Sequence, residues 1–304
     1  MGKIVVVGSS NTDMVIRSER LPRPGESVVG GDFMMAGGGK GANQAVAVAR
    51  MGHKVVFVTA VGRDMFGDNA LKNYAEYGVD TSFVARKDVP SGIALIMVDG
   101  CAQNSISVAL GANSKLCYED VLPALETLEE GDIVLLQLEI PMQTVEEVAA
   151  YADKRGAKVV LNPAPAAKLS AELLSSLYLI TPNQTEAEFL TGVEVNDFES
   201  AKRAASVLRN AGVERVVITM GGSGAFIDDG ENAAIVPAYV VDAVDTTAAG
   251  DVFNGAMCSL LAEGGTLAEA IEFATKASAI SVTRAGAQPS IPTRDEVDSF
   301  NGKK

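Results

Sequence analysis

The sequence has no tryptophan, one histidine and three cysteines, and each shortage removes a class of chemistry. With no indole and only 5% aromatic residues, little flat surface is left for stacking a planar base. The single histidine, His53, lies in the turn-like MGHK between a helical and a strand-like run. It reads as a solvent-facing structural residue, and no second histidine exists to build a Ser-His-Asp site. Cys101, Cys117 and Cys258 are odd in number, far apart and without a CxxC pair, which disfavours a disulfide framework or a zinc site and fits a reducing cytoplasm. Basic charge is short as well: 25 Lys and Arg face 39 Asp and Glu, for a net charge of −14. A broad nucleic-acid or anionic-membrane surface needs clustered Lys and Arg, so small molecules and proteins are the expected partners. No apolar run reaches the roughly 20 residues of a membrane helix, and the one in MGKIVVVGSSNTD is too short to imply export or anchoring.

What the chain does have is 47% hydrophobic residues over 304 positions, enough for a large core. Apolar β-rich runs such as KIVVVG, KVVFVTAVG, DIVLLQLE, KVVLNPA and RVVITMGG alternate with helix-patterned runs such as ANQAVAVARMG and MQTVEEVAAYADKRG. Continuous Val/Ile/Leu strands separated by helices predict an α/β fold, a mostly parallel sheet covered on both faces. Two segments, near 14–37 and 81–110, break the alternation. Both are rich in β-formers and turn residues without a helical period, so they read as strands and hairpins forming a small projecting β lid. No linker, low-complexity tract or repeat divides the chain, so 1–304 is expected to be one domain with that lid inserted. Apolar residues alternate in SVVGGDFMMAG and SGIALIMVDG, more than a small sheet can cover on both faces, which predicts a homodimer through the lid.

The stretch DTTAAGDVFNG, Asp245 to Gly255, sets small residues and then a carboxylate where a helical run begins. The amides of Ala248, Ala249 and Gly250 in that first turn would cradle an anion. Asp251 beside them cannot bind phosphate, since like charges repel. It is placed either to take a proton from a hydroxyl that attacks a phosphoryl group or simply to cap the helix. AGGGKGANQA, Ala36 to Ala45, is a second glycine-rich helix entry. It is not a Walker A loop, because Lys40 is followed by Gly41, and the H-R-D and D-F-G elements of protein kinases are missing too.

SSNTD, GGGKGANQA, NQTE, DTTAAGD and TRAGAQPS follow one another in the order and spacing of a known family. The chain thereby resembles the ribokinase-type (PfkB) family of carbohydrate kinases over essentially its full length. The resemblance implies a Rossmann-like α/β domain with a β lid, ATP as donor and a primary sugar hydroxyl as acceptor. Ribose leads, ahead of deoxyribose, fructose, 2-keto-3-deoxygluconate or a nucleoside. Asp251 resembles the general base, with Ala248, Ala249 and Gly250 as the anion hole. Sugar contacts fall at Asn11, Asp13, Gly39, Lys40, Asn43 and Glu139. By themselves, Asn11 and Asp13 also fit an Asx-rich turn, and Glu139 a solvated helix start before Pro141. Asn183 and Glu186 match the nucleotide and Mg²⁺ pattern, Glu186 acting through a water, although a capped helix explains the same residues. Thr219, Gly221, Gly222, Ser223 and Gly224 match the loop under ATP, or a hairpin turn, and Thr275 a position near adenine. Asp245, Thr247, Ser281, Arg284, Gly286 and Ser290 match a monovalent-cation site, which implies activation by K⁺. The family's common D-T-x-G-A-G-D has glycine where this chain has Ala248. A sugar or nucleotide sensor that has lost the base is the non-enzymatic alternative, and the presence of Asp251 argues against it.

Overall fold

The computed structural model describes residues 2–101 and 103–304; Met1, and Ala102 within the expected 81–110 insertion, lie outside the described residues. Eight strands form the main sheet, in spatial order Val55–Val58, Ile4–Val7, Ile133–Leu136, Lys158–Leu161, Leu179–Ile180, Val216–Thr219, Ala225–Asp228 and Ala233–Val236. The first six run parallel, and the last two finish one edge in antiparallel pairing.

Ile4–Val7 shows why. All four side chains are fully buried, Ile4 and Val6 in one core cluster and Val5 and Val7 in the other. A β-branched run without a polar side has no face to give to water, so it takes a central place in a parallel sheet. Helices Lys40–Arg50, Ala249–Ala262 and Leu267–Ser281 cover one face, and Tyr118–Leu125, Met142–Lys154 and Phe198–Asn210 the other. The 40–50 helix sits directly on the end of strand Ile4–Val7 because Gly41 has no side chain. A Cβ there would lie 2.6 Å from the backbone of Gly8 and Ser9, closer than packed atoms tolerate. This approach carries Lys40, Asn43 and Gln44 to the carboxyl edge of the sheet.

A separate four-stranded sheet has the order Asp32–Gly38, Asn11–Arg17, Gly92–Val98, Asn104–Ala109. It begins at Asn11 rather than at 14, and not all of 81–110 joins it, since Ala85–Lys87 pairs with Ala60–Gly62 in a two-stranded sheet. Ile16 lies opposite Phe33, and Met14 opposite Met35 and Leu95, so these side chains share one face; Phe33 is 61% exposed. Among the described residues no helix is long and apolar enough to cross a membrane.

One expectation is overturned here. His53 does not face solvent: it is 7% exposed, with Nε2 2.9 Å from Glu263 Oε1. The MGHK turn packs against the end of helix Ala249–Ala262, a tertiary neighbour that the local sequence does not announce.

Candidate active site

Loops leaving the carboxyl ends of the parallel strands are where ligands gather in such sheets. A cavity of about 220 Å³ opens there, with Lys40, Asn183, Glu186, Ala248, Gly250 and Asp251 in its wall. Three helix starts meet at it: Lys40 begins its helix, Asn183 caps Gln184–Thr191, and Ala248 caps Ala249–Ala262. Unpaired amides and the positive end of the helix dipole make each a place for negative charge.

Ala248 has φ 61°, and among the described residues it is the one non-glycine with positive φ. The left-handed region costs an L-residue about 1–2 kcal/mol, which explains why a glycine is the common occupant of this motif position. The bend turns the Ala249 amide onto Thr246 O at 3.2 Å. Among the described residues, the amides of Ala248, Gly250 and Asp251 meet no backbone acceptor. Of the three amides expected to cradle an anion, those of Ala248 and Gly250 are thus unpaired and that of Ala249 is engaged inside the loop, while the neighbouring Asp251 amide is unpaired too. A Cβ added to Gly250 would meet nothing within 4 Å, so a phosphate-sized anion has room to approach.

Asp251 is no helix cap, because the start of Ala249–Ala262 has no side-chain cap bond. It is 6% exposed; its Oδ2 accepts from Asn43 Nδ2 at 2.9 Å and its Oδ1 from Gln44 Nε2 at 3.0 Å. Burial pushes its carboxyl above the ordinary range, Lys40, Asn43 and Gln44 pull it back, and Glu139 adds to the rise. The fold thus provides a buried, doubly hydrogen-bonded carboxylate rather than an ordinary exposed aspartate. Burial would lower the Lys40 ammonium, but the carboxylates of Asp251, Glu139 and Glu186 outweigh it and hold it above its usual value. Among the described residues Lys40 forms no ion pair within 4 Å, so its charge is left for the cavity.

The other expected sugar contacts are close by. Burial, with Glu139 and Asp251 adding to it, raises the Asp13 carboxyl to about 6. Glu139 is not a solvated helix start: Oε2 accepts from Ser9 Oγ at 2.5 Å and from the Lys40 amide at 3.1 Å. It supplies the anion that the 40–50 helix start, with no cap of its own at Gly39, lacks. Asn11 lies in a strand rather than an Asx turn, and its Oδ1 accepts from Asn113 Nδ2 at 2.7 Å.

NQTE forms the capped helix start that its residues suggest, and it does so at the cavity wall. Asn183 Oδ1 accepts from the Glu186 amide at 2.8 Å and the Asn183 amide donates to Glu186 Oε2 at 2.9 Å, a capping box whose two members also line the cavity. Burial raises the Glu186 carboxyl, with Asn183 and Lys40 opposing. Thr219 lines the cavity, while Gly221–Ser223 form one 3-10 turn of an antiparallel hairpin, with open space beside Gly221 and Gly222 and Gly224 at φ 98°. Thr275 does not join them: it is 7% exposed, and its hydroxyl donates to Ile271 O at 2.8 Å within its own helix.

Asp245 ties two distant segments together, accepting from the Thr247 amide on Oδ1 and the Gly286 amide on Oδ2, both at 2.9 Å. Burial would raise its carboxyl, but the Thr247 side chain, together with the Gly286 and Thr247 amides, holds it below the usual range. The hydroxyls of Ser281 and Ser290 donate to Ser278 O and Ala287 O, and the Arg284 guanidinium pairs with Glu296 at 2.6 Å. These hydroxyls and the guanidinium are thus already engaged within the protein.

Sequence reasoning passed over Asn162, Thr181 and Asn254, all in the cavity wall. Asn162 and Thr181 each directly follow a parallel strand, a position that the strand-end rule marks. Thr181 Oγ1 donates to Asn254 Oδ1 at 2.7 Å and Asn254 Nδ2 to Gly250 O at 2.8 Å, bracing the helix start. Gln44, inside the quoted GGGKGANQA, was also passed over.

Residues 1–294 match the family described as pfkB family carbohydrate kinase. The chain is 47% identical over 298 residues to a ribokinase of Haemophilus influenzae, covering 98% of this chain and 97% of that protein. It is 36% identical over 301 residues to a deoxyribokinase of Salmonella typhimurium, covering 98% of both. The structure of Arabidopsis thaliana ribokinase complexed with ribose and ATP matches with a TM-score of 0.92 at 33% identity, covering 99% of this chain and 100% of that one. With its sheet, its helix-start cavity and its full-length match, the chain belongs to the pfkB family of carbohydrate kinases.

Proposed function

We propose that the chain transfers the γ-phosphoryl group of ATP to the primary 5-hydroxyl of D-ribose, giving ribose 5-phosphate and ADP. Asp251 carries this reading: a buried carboxylate with both oxygens held by side-chain amides, in the wall of a cavity rimmed by unpaired helix-start amides and a lysine. Asp251 accepts the hydroxyl proton as the sugar oxygen bonds to phosphorus and the bond from phosphorus to the ADP oxygen breaks. The amides of Ala248, Gly250 and Asp251, with the Lys40 ammonium, meet the charge spread over the transferring group. Asp13, Glu139 and Asn43 surround the same carboxylate, suited to the remaining hydroxyls of a polyol, since carboxylates accept from hydroxyls and an amide both gives and accepts.

Magnesium fits the donor set. Asp13, Glu139, Glu186 and Asp251 set four carboxylates against Lys40, an imbalance that a triphosphate would worsen. Among the described residues no cluster of three or more His, Cys, Asp or Glu stands ready to hold an ion. An ion that keeps its waters, with Glu186 beyond one of them, suits such a site, and when bound it neutralises phosphate charge. The family resemblance implies potassium beside Asp245 and Gly286, two segments that the Asp245 carboxylate ties together, where a fixed charge would steady the bend that leads into Ala248. The exposed Phe33, Met35 and Leu95 suit a second copy packed on the lid, which a monomeric mass by light scattering rules out. Three free cysteines suit a reducing cytoplasm.

The test is coupled ADP release with D-ribose, 2-deoxyribose, fructose and adenosine, in potassium and then in sodium or Tris buffer. Ribose gives the highest kcat/KM, and the rate falls without potassium. Turnover with none of the four sinks the kinase reading. Preference for 2-deoxyribose, the substrate in the name of one relative, sinks the ribose assignment, and equal rates in the two buffers sink the potassium one.

Asp13 gives a separate expectation. Its carboxyl is raised from 3.8 to about 6, so the ligand-free protein takes up a proton there as pH falls through about 6. Hydroxyls donate to the ionised form, so the ribose Kd rises by roughly tenfold per pH unit below that point while the ATP Kd stays level. Calorimetric titration of ribose between pH 5 and 8 checks it, and a flat ribose Kd removes Asp13 from the sugar site.

A further inference from the structure

Gln44 is fully buried, and every polar atom of its side chain is engaged. Its Nε2 donates to Asp251 Oδ1 at 3.0 Å and to Asn162 Oδ1 at 3.1 Å, and its Oε1 accepts from Gln137 Nε2 at 2.5 Å. The direction of this chain is forced. An ionised carboxylate only accepts, so the nitrogen of Gln44 must face Asp251 and its carbonyl must face Gln137. Gln137 must then offer its own nitrogen, which leaves its Oε1 as the chain's end, buried with no donor among the described residues. That oxygen is pressed against Gly8, where an added Cβ would stand 1.9 Å from it. A buried orphan acceptor is costly, and native proteins rarely keep one without a reason. Leucine or methionine would fill the same space without it, so packing alone does not account for the pair.

We propose that Gln44, backed by Gln137, is a positioning residue that fixes the rotation of the Asp251 carboxylate, leaving its remaining lone pairs aimed at the acceptor hydroxyl. The proposal rests on Asp251 being the general base. Its charged surroundings are Lys40, Glu139, Glu186 and Asp13, so a donor withdrawn from Oδ1 shifts the balance toward the protonated form.

Gln44→Leu and Gln137→Leu test it, with kcat and both KM values measured from pH 5 to 9 beside thermal melts. For Gln44→Leu, kcat falls roughly 10- to 100-fold, as misplaced reacting groups do, with both KM values little changed. The acid limb of the kcat profile moves up by roughly half to one pH unit. Gln137→Leu shows the same changes on a smaller scale. It removes one orphan and creates another at Gln44 Oε1, so its melting temperature stays near that of the parent, and it carries the test if Gln44→Leu does not fold. An acid limb left in place, or a kcat that falls only with melting temperature, overturns the proposal. Asp251→Ala distinguishes the two levels. If that variant keeps a near-parental kcat, the base assignment fails; if its kcat falls by about 10²-fold or more while the folded glutamine variants match the parent, only the positioning role fails.

Discussion

Asp251→Ala lowers kcat by about 10²–10⁴-fold, the usual cost of losing a general base, and leaves the ATP Kd close to that of the parent. The two effects separate because of how the site is built. The unpaired amides of Ala248 and Gly250 belong to the main chain, and Lys40 stands on another helix, so the anion-binding groups outlast the side chain. What goes is the one acceptor for the hydroxyl proton. Asn43 and Gln44 lose their shared partner, and water entering the space left by the carboxylate takes up their N–H groups. Asp251 is also one of the causes of the raised Asp13 carboxyl, so in the variant the pH below which ribose binding weakens moves down from about 6. Steady-state kinetics with ATP titrations read the first effect, and ribose titrations across pH read the second. Near-parental kcat ends the assignment of Asp251 as base.

The parts of this molecule that are repetitive in sequence are legible there. Ile4–Val7 is a fourfold apolar, β-branched run, and a strand covered on both faces accommodates it. The helix start at Ala249 and the carboxylate that follows it are legible too, because small residues before an acidic one at an apolar helical run have few other uses. What the sequence hides is whichever partner lies far along the chain. Whether Asp251 caps its helix or faces inward depends on Asn43 and Gln44, more than 200 positions away. Glu139 reads locally as a solvated residue before a proline, and only its contact with Ser9 and the Lys40 amide makes it the anion of another helix's start. His53 fails for the same reason, its Glu263 partner being supplied by a remote helix end. The Ala249 amide is turned onto Thr246 O, and so away from the expected anion hole, beside a backbone dihedral at Ala248 that no side-chain pattern encodes.

Lys40→Met lowers kcat/KM for ATP by about 10²–10³-fold, comparable to removing a preorganised group that meets developing charge. Methionine keeps the length and apolar stem of the lysine, so the packing survives and the charge alone is removed. Among the described residues Lys40 is the only cationic one in the cavity wall, and without it the triphosphate meets Glu186 and Asp251 with no fixed positive charge between them. The consequence for pH has a definite sign. Burial raises the Asp251 carboxyl and Lys40 pulls it back, so the variant's Asp251 keeps its proton to higher pH and the acid limb of its kcat profile moves upward. The ligand-free fold responds in the same direction. A carboxyl whose folded pKa lies above its unfolded value contributes stability that is lost as pH rises between the two, and this window widens in the variant. Urea melts at pH 5 and pH 8 therefore differ more for Lys40→Met than for the parent. A parental acid limb together with a parental KM for ATP would place the ammonium outside the reacting centre and leave the main-chain amides as the sole anion-binding groups.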